Sequence, residues 1–155
     1  MIEFKLVSKN DLEIVKNIAV KAFKADLEKY GSMPPGIEGI QWHEEKINDG
    51  NYYKILFDDQ IVGAMKIYDK DNGHFHLGAL FIDPIFQNQG VGSEAMYFLN
   101  KTFNQAGRWT LDTPYKNYRN HYFYEKHGFK KIDEFKPESD KAFTLYLYEK
   151  KWIIK

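Results

Sequence analysis

The sequence contains no cysteine, which removes disulfides, thiolate metal sites and a cysteine nucleophile from consideration. Nor does it carry excess charge: 22 lysine plus arginine residues balance 22 aspartate plus glutamate. Without a bias of either sign, nothing favours a nucleic-acid or membrane partner. No apolar run approaches the roughly 20 residues that a membrane span needs. The start, Met1-Ile-Glu-Phe-Lys-Leu6, lacks the charged-then-apolar order of a secretion leader, so a cytoplasmic location is expected. There is no repeat, linker or low-complexity stretch. No residues have metal-ligand spacing, so no metal is expected. What is abundant is aromatic: 12 Phe, 11 Tyr and 3 Trp, which suits a sheet-rich core and a partly aromatic cleft. A length of 155 residues suits one domain over 1–155 with a single core.

Hydrophobic periodicity divides the chain. Ile2, Phe4 and Leu6 alternate with polar residues, predicting a strand over Ile2 to Val7. Ser8-Lys-Asn-Asp11 has capping-box spacing, and Leu12, Val15, Ala19, Ala22, Phe23 and Leu27 then line one face of a helix running to about Tyr30. Gly31-Ser-Met-Pro34-Pro35-Gly36 breaks it. A shorter helix is expected from Ile37 to Ile47, with Gly50 closing it. Tyr52 to Phe57 and Ile61 to Tyr68 read as strands. Asn72-Gly73 predicts a two-residue hairpin turn into a third strand, His74 to Ile82. A helix from Gly90 to about Gln105, a strand over Trp109 to Asp112, a helix over Asn117 to His127 and strands Phe129 to Phe135 and Phe143 to Tyr148 complete the order. The pattern β-α-α-β-β-β-α-β-α-β-β predicts an α/β fold with a mixed central sheet flanked by helices.

The most informative stretch is Ile82-Asp-Pro-Ile-Phe-Gln-Asn-Gln-Gly-Val-Gly-Ser93. Pro84 stops the strand, and Gly90 and Gly92 sit where loop becomes helix. The unpaired N–H groups and partial positive charge of a helix start make such a place an anion site, usually for phosphate. A Walker loop is excluded because no Gly-Lys-Ser/Thr follows. Gly90-Val-Gly92-Ser-Glu-Ala95 fits the dinucleotide fingerprint in letters, with Asp112 about 20 residues on. However, Asp83 to Gln89 separate its first glycine from the strand, and that strand belongs to a hairpin rather than a βαβ unit.

Gln87-x-x-Gly90-x-Gly92, preceded by Ile82-x-Pro84, resembles the acetyl-CoA-binding signature of the GNAT N-acetyltransferase superfamily. Asn117 followed by Tyr124-Glu-Lys-His-Gly128-Phe129 is similar to a second segment of that family. Two motifs in the right order make the combined signal specific. The element order agrees with the GNAT acyl-CoA N-acyltransferase fold over essentially the whole chain. The resemblance implies acetyl-CoA as co-substrate and two parallel strands that splay apart around its thioester end. It also implies backbone pairing of Leu80, Phe81 and Ile82 with the pantetheine arm. Amides from Asn88 through Gln89, Gly90, Val91 and Gly92 to Ser93 are expected to hold the diphosphate, with Gln87 leading the motif. Asn117 is read both as a helix cap and, by resemblance, as a cofactor contact. Asn120 departs from the small residue common in relatives.

Acyl transfer from a thioester to an amine requires a proton acceptor for the amine and a proton donor for the departing sulfur. Tyr124 is the expected donor, since a phenol with a pKa near 10 stays protonated at neutrality. The base is open between His76, Asp112 and water. His76 precedes Ile82 by six residues, so simple alternation places both on one strand face; Asp112 ends the following strand. His74 is expected further from the cleft. The segment between the first two helices and the final hairpin are expected to select the substrate, which brings forward Tyr30, Met33, Pro34, Pro35, Trp42 and His43, with Asp26, Glu44 or Glu45 to attract a cation. The expected acceptor is a primary amine of a small molecule or peptide. The alternative is a non-catalytic acyl-CoA sensor or interaction module. A monomer or homodimer fits either.

Overall fold

The computed structural model describes residues 1–30, 34–137 and 144–151. Its elements are β1 (Ile2–Leu6), α1 (Leu12–Tyr30), α2 (Ile40–Asp49), β2 (Tyr52–Phe57), β3 (Gln60–Asp69), β4 (His74–Ile82), α3 (Val91–Thr102), β5 (Arg108–Pro114), α4 (Tyr118–Lys126), β6 (Lys130–Phe135) and β7 (Leu145–Lys151). The strands form one sheet in the order β1-β2-β3-β4-β5-β7-β6. The pairing is antiparallel except for β4 with β5. The order is the one the periodicity predicts. Among the described residues no helix is long and apolar enough to cross a membrane.

Each face of the sheet carries its own core. On one, Val15, Ile18, Ala19 and Ala22 of α1 pack with Ala64, Ala79 and Phe81. On the other, Ala95, Met96 and Leu99 of α3 and Tyr124 of α4 pack with Met65, Ile67, Leu77, Trp109, Leu111 and Tyr148. Leu27 is a correction: it is 46 % exposed, on the solvent side of the last turns of α1. At the other end, Ser8 Oγ and Ser8 N both donate to Asp11 Oδ2, which fixes the chain's entry into the helix.

Two local differences have clear causes. α2 begins at Ile40 rather than Ile37, because Gly36 takes a left-handed φ of 84° and residues 34–39 close as turns, Ile37 N donating to Pro34 O and Gly39 N to Gly36 O. His43 secures those turns: its ring bonds the Tyr52 hydroxyl at 2.7 Å and donates Nε2–H to Ile37 O at 2.8 Å. Burial holds that ring below the usual histidine range, so it stays neutral. The β3–β4 turn has three left-handed residues, Asp71, Asn72 and Gly73, closed by Lys70 N donating to His74 O. Gly73 O then accepts from both Gly107 N and Arg108 N, tying the starts of β4 and β5 together.

Candidate active site

From that shared start, β4 and β5 pair only from His74↔Arg108 to Leu77↔Leu111. Residues 78–82 and 112–114 continue as strand without pairing to one another, so the sheet opens into a gap. Asp83 N donates to Val62 O. Alternation of hydrogen-bond direction along an antiparallel strand then turns Phe81 toward its partner Ala64 and leaves the polar backbone groups of Leu80 and Ile82 facing the gap. Phe81 is thus a correction as a backbone contact: its side chain is core and its backbone belongs to β3.

The loop after Pro84 closes the open end of the gap. Asp83 Oδ1 caps the short turn Pro84–Phe86 by accepting from Ile85 N, and Gln87 Nε2 reaches back to Ile82 O at 3.1 Å. Asn88 and Gly90 both take left-handed conformations, φ 63° and 83°, which curl the backbone into the start of α3. Among the described residues the amides of Asn88, Gln89, Gly90, Val91, Gly92 and Ser93 have no hydrogen-bond partner. The two glycines do different work. A Cβ on Gly90 would meet nothing within 4 Å, so its need is conformational. A Cβ on Gly92 would sit 3.0 and 3.1 Å from the Phe123 ring, so its need is close packing of α3 against α4.

α4 brings Tyr124 to the same place. Asn117 Oδ1 accepts from Asn120 N and starts the helix, while Asn120 Nδ2 donates to Thr113 Oγ1 at 3.3 Å. Tyr124 is 8 % exposed, its ring packed by Phe123 and Phe129. Burial, with the charge of Asp26 added to it, pushes its hydroxyl well above the usual tyrosine range. Asp26 lies on α1, on the opposite face of the sheet from α4. Burial also raises the Asp26 carboxyl, against the opposing charges of Arg119 and Lys29.

His76 and Ile82 do not share a face. The β3–β4 register shifts between Lys66↔Ala79 and Ile67↔Leu77, leaving Gly78 as an extra, unpaired residue. A bulge of one residue inverts the alternation beyond it. Ile82 and Leu80 pack on the α3 side, whereas His76 lies on the α1 side with Thr110 and Asp112. There, His76 Nδ1 is 2.7 Å from Thr110 Oγ1 and its Nε2 is 3.7 Å from Asp112 Oδ2. Burial, with Lys70 and His74 nearby, pulls His76 down to about 4; burial raises Asp112. The two candidate bases therefore form one cluster, at the point where β4 and β5 part.

The profile of the acetyltransferase (GNAT) family matches residues 15–129. The chain belongs to the GNAT family. No curated protein sequence matches it. Among solved structures, it is similar to the PaiA N-acetyltransferase of Thermoplasma acidophilum in complex with coenzyme A, at 19 % identity and TM-score 0.80, with 98 % of this chain and 99 % of that one covered. It is likewise similar to Ard1 of Thermoplasma volcanium, at 16 % identity and TM-score 0.78, covering 99 % of each. An acetyltransferase of Thermus thermophilus gives 15 % and 0.79, covering 98 % of this chain and 97 % of that one. At these identities the likeness establishes the fold.

Of the residues expected to select a substrate in this GNAT chain, Met33 and the Tyr30 side chain lie outside the described residues, as does Phe143 of the final hairpin. Pro34 is half-buried in the turns before α2. Trp42 packs edge-on to His43 and Tyr52, and Lys46 Nζ bridges its ring to that of Tyr68 at 5.1 and 5.3 Å. Tyr68 pairs with His76, so Trp42 connects to the cluster at one remove. Two residues were not singled out from the sequence. Arg119 donates to Gln87 Oε1 and Asn88 Oδ1, bracing α4 against the loop; its position two residues after the Asn117 cap was the available signal. Thr110, between two histidines in space, left none.

Proposed function

We propose that this GNAT protein transfers the acetyl group of acetyl-CoA to a primary amine of a small molecule or peptide by direct attack. The observation carrying the reading is the run of unpartnered amides from Asn88 to Ser93 beside the gap between β4 and β5, with Tyr124 on the neighbouring helix α4. Asn88, Gln89 and Gly90 are exposed, Val91 is buried, and Gly92 and Ser93 are half-buried; unpartnered amides gathered at a helix start suit an anion, and a diphosphate fits them in charge. When bound, acetyl-CoA supplies a thioester whose carbonyl carbon the amine attacks. Leu80 and Ile82 offer backbone groups along the gap for an extended arm to pair with, as an added strand would. An N–H in the same row is placed to polarise a carbonyl oxygen.

His76 and Asp112 supply the proton acceptor. Their facing atoms, Nε2 and Oδ2, are 3.7 Å apart, too far to bond one another and suited to receive two hydrogens of one nitrogen. Free amines are scarce at neutrality, about one in a thousand for a pKa near 10.4, so acceptors at this point favour the attacking form. As the C–N bond forms and the C–S bond breaks, Tyr124 donates its hydroxyl proton to sulfur. Its raised pKa keeps the hydroxyl protonated, so the proton is still there when the thiolate forms.

The test is free-thiol release from acetyl-CoA with a panel of primary amines. Tyr124→Phe is expected to lower turnover about a hundredfold and to leave coenzyme A affinity within twofold, since only the hydroxyl is lost. Coenzyme binding without thiol release across the panel would replace this reading with that of a sensor module.

A further inference from the structure

His74 and His76 converge on a single atom. His74 Nε2 is 2.8 Å and His76 Nδ1 2.7 Å from Thr110 Oγ1. A hydroxyl has one proton to donate, so it donates to one ring and accepts from the other. Two arrangements satisfy this. In one, His76 Nδ1–H donates to Thr110 and Thr110 donates to His74. In the other, both bonds run the opposite way. They differ by one proton displaced along each bond.

The two ends differ in surroundings. His76 is the more buried ring, its side chain 19 % exposed, with Tyr68 of β3 opposite it, Asp112 of β5 beside it, and Lys70 and His74 acting on it from its own side of the hairpin. His74 is more open. It is depressed by burial and by Arg108 and Lys70, against the charge of Glu149 on β7. A ring held near 4 cannot store a proton at neutral pH, so as a base it works by passing the proton on.

We propose that Thr110 conducts the acceptor's proton from His76 to His74, which delivers it to solvent. This rests on the acetyl-transfer reading above. As the amine nitrogen bonds the acetyl carbon, its N–H proton moves to His76 Nε2. The His76 Nδ1 proton moves to Thr110 Oγ1, and the Thr110 proton moves to His74 Nε2. His74 then releases its Nδ1 proton to water. One proton leaves per turnover, and exchange of the outer nitrogens with water restores the starting arrangement. Thr110 and His74 are thus positioning residues: neither touches substrate.

The experiment compares wild type, Thr110→Val, Thr110→Ser and His74→Gln for thiol release with the best amine of the panel, in mixtures of light and heavy water. Thr110→Val keeps the branched shape and loses the hydroxyl. It is expected to lower kcat about tenfold or more, to leave both KM values within twofold, and to turn a curved dependence on deuterium fraction into a straight one. Thr110→Ser restores both. His74→Gln, at the open end where folding is least at risk, lowers kcat similarly and adds little further loss on top of Thr110→Val. Wild-type kcat and an unchanged deuterium curve in either Thr110→Val or His74→Gln would overturn the relay while thiol release by wild type left the transferase reading standing. Absence of thiol release by wild type with every amine would overturn both.

Discussion

The bulge at Gly78 decides which way His76 faces, and the residue that enforces a glycine there is Tyr68. A Cβ built on Gly78 would lie 2.2 Å from Cε2 and 2.7 Å from Cδ2 of the Tyr68 ring, against about 3.5–4.0 Å for ordinary carbon contact. In Gly78→Ala the ring must therefore retreat by more than an ångström. It is not free to do so, because the ammonium groups of Lys66, Lys46 and Lys70 lie over it at 4.7, 5.3 and 5.5 Å. Overpacking costs about 1–3 kcal/mol, and each of the three cation–π contacts disturbed adds about 0.5–1 kcal/mol, so the substitution is expected to cost about 2.5–6 kcal/mol in all. In a Tyr68→Ala background the three nearest obstructing atoms are gone, and Gly78→Ala should then cost far less, under about 0.5 kcal/mol. Urea titrations of the four proteins, read as midpoints at constant slope, give the coupling directly. Equal costs of Gly78→Ala in the two backgrounds would refute the claim that the Tyr68 ring selects the glycine.

Other perturbations have equally definite outcomes. Because His76 titrates near 4 when folded and near 6.5 when unfolded, the unfolded chain binds more protons between those values. Stability should therefore be full above 6.5 and fall as pH drops toward 4, by up to about 3 kcal/mol. In His76→Gln that part of the acid limb should flatten; Asp112, raised by burial, acts in the opposite sense. Gly90→Ala should lose about 1 kcal/mol from its left-handed backbone alone and weaken coenzyme A binding by calorimetry. Gly92→Ala should instead be partly rescued by Phe123→Leu, which removes the ring edge from the position of the new methyl group.

The element order was readable because hairpin turns and helix faces in this chain follow simple periods, and the loop was readable because proline, glutamine and two glycines stand at fixed spacing. Counting back from Ile82 to His76 by twos gave the wrong face, since a period cannot register an extra residue. Gly78 inside a strand was the visible sign of it. The link between His74 and His76 was illegible for a different reason: it runs through Thr110, on a strand 34 residues later, and no local pattern encodes a shared partner. The same holds for Arg119 across to Gln87 and Asn88. The cap at Asn117 involves only its neighbour Asn120 and was therefore legible.

The contact between Gly92 and the Phe123 ring carries a mechanical consequence. Phe123 is the residue immediately before Tyr124, and Gly92 stands in the second position of the helix whose start the loop forms. In the proposed reaction, the amides that would hold the diphosphate and the phenol that would protonate sulfur are thus two ends of one lever. In that reaction a diphosphate seated badly against the loop would also displace the tyrosine, which ties the fit of the coenzyme to the chemistry at its far end.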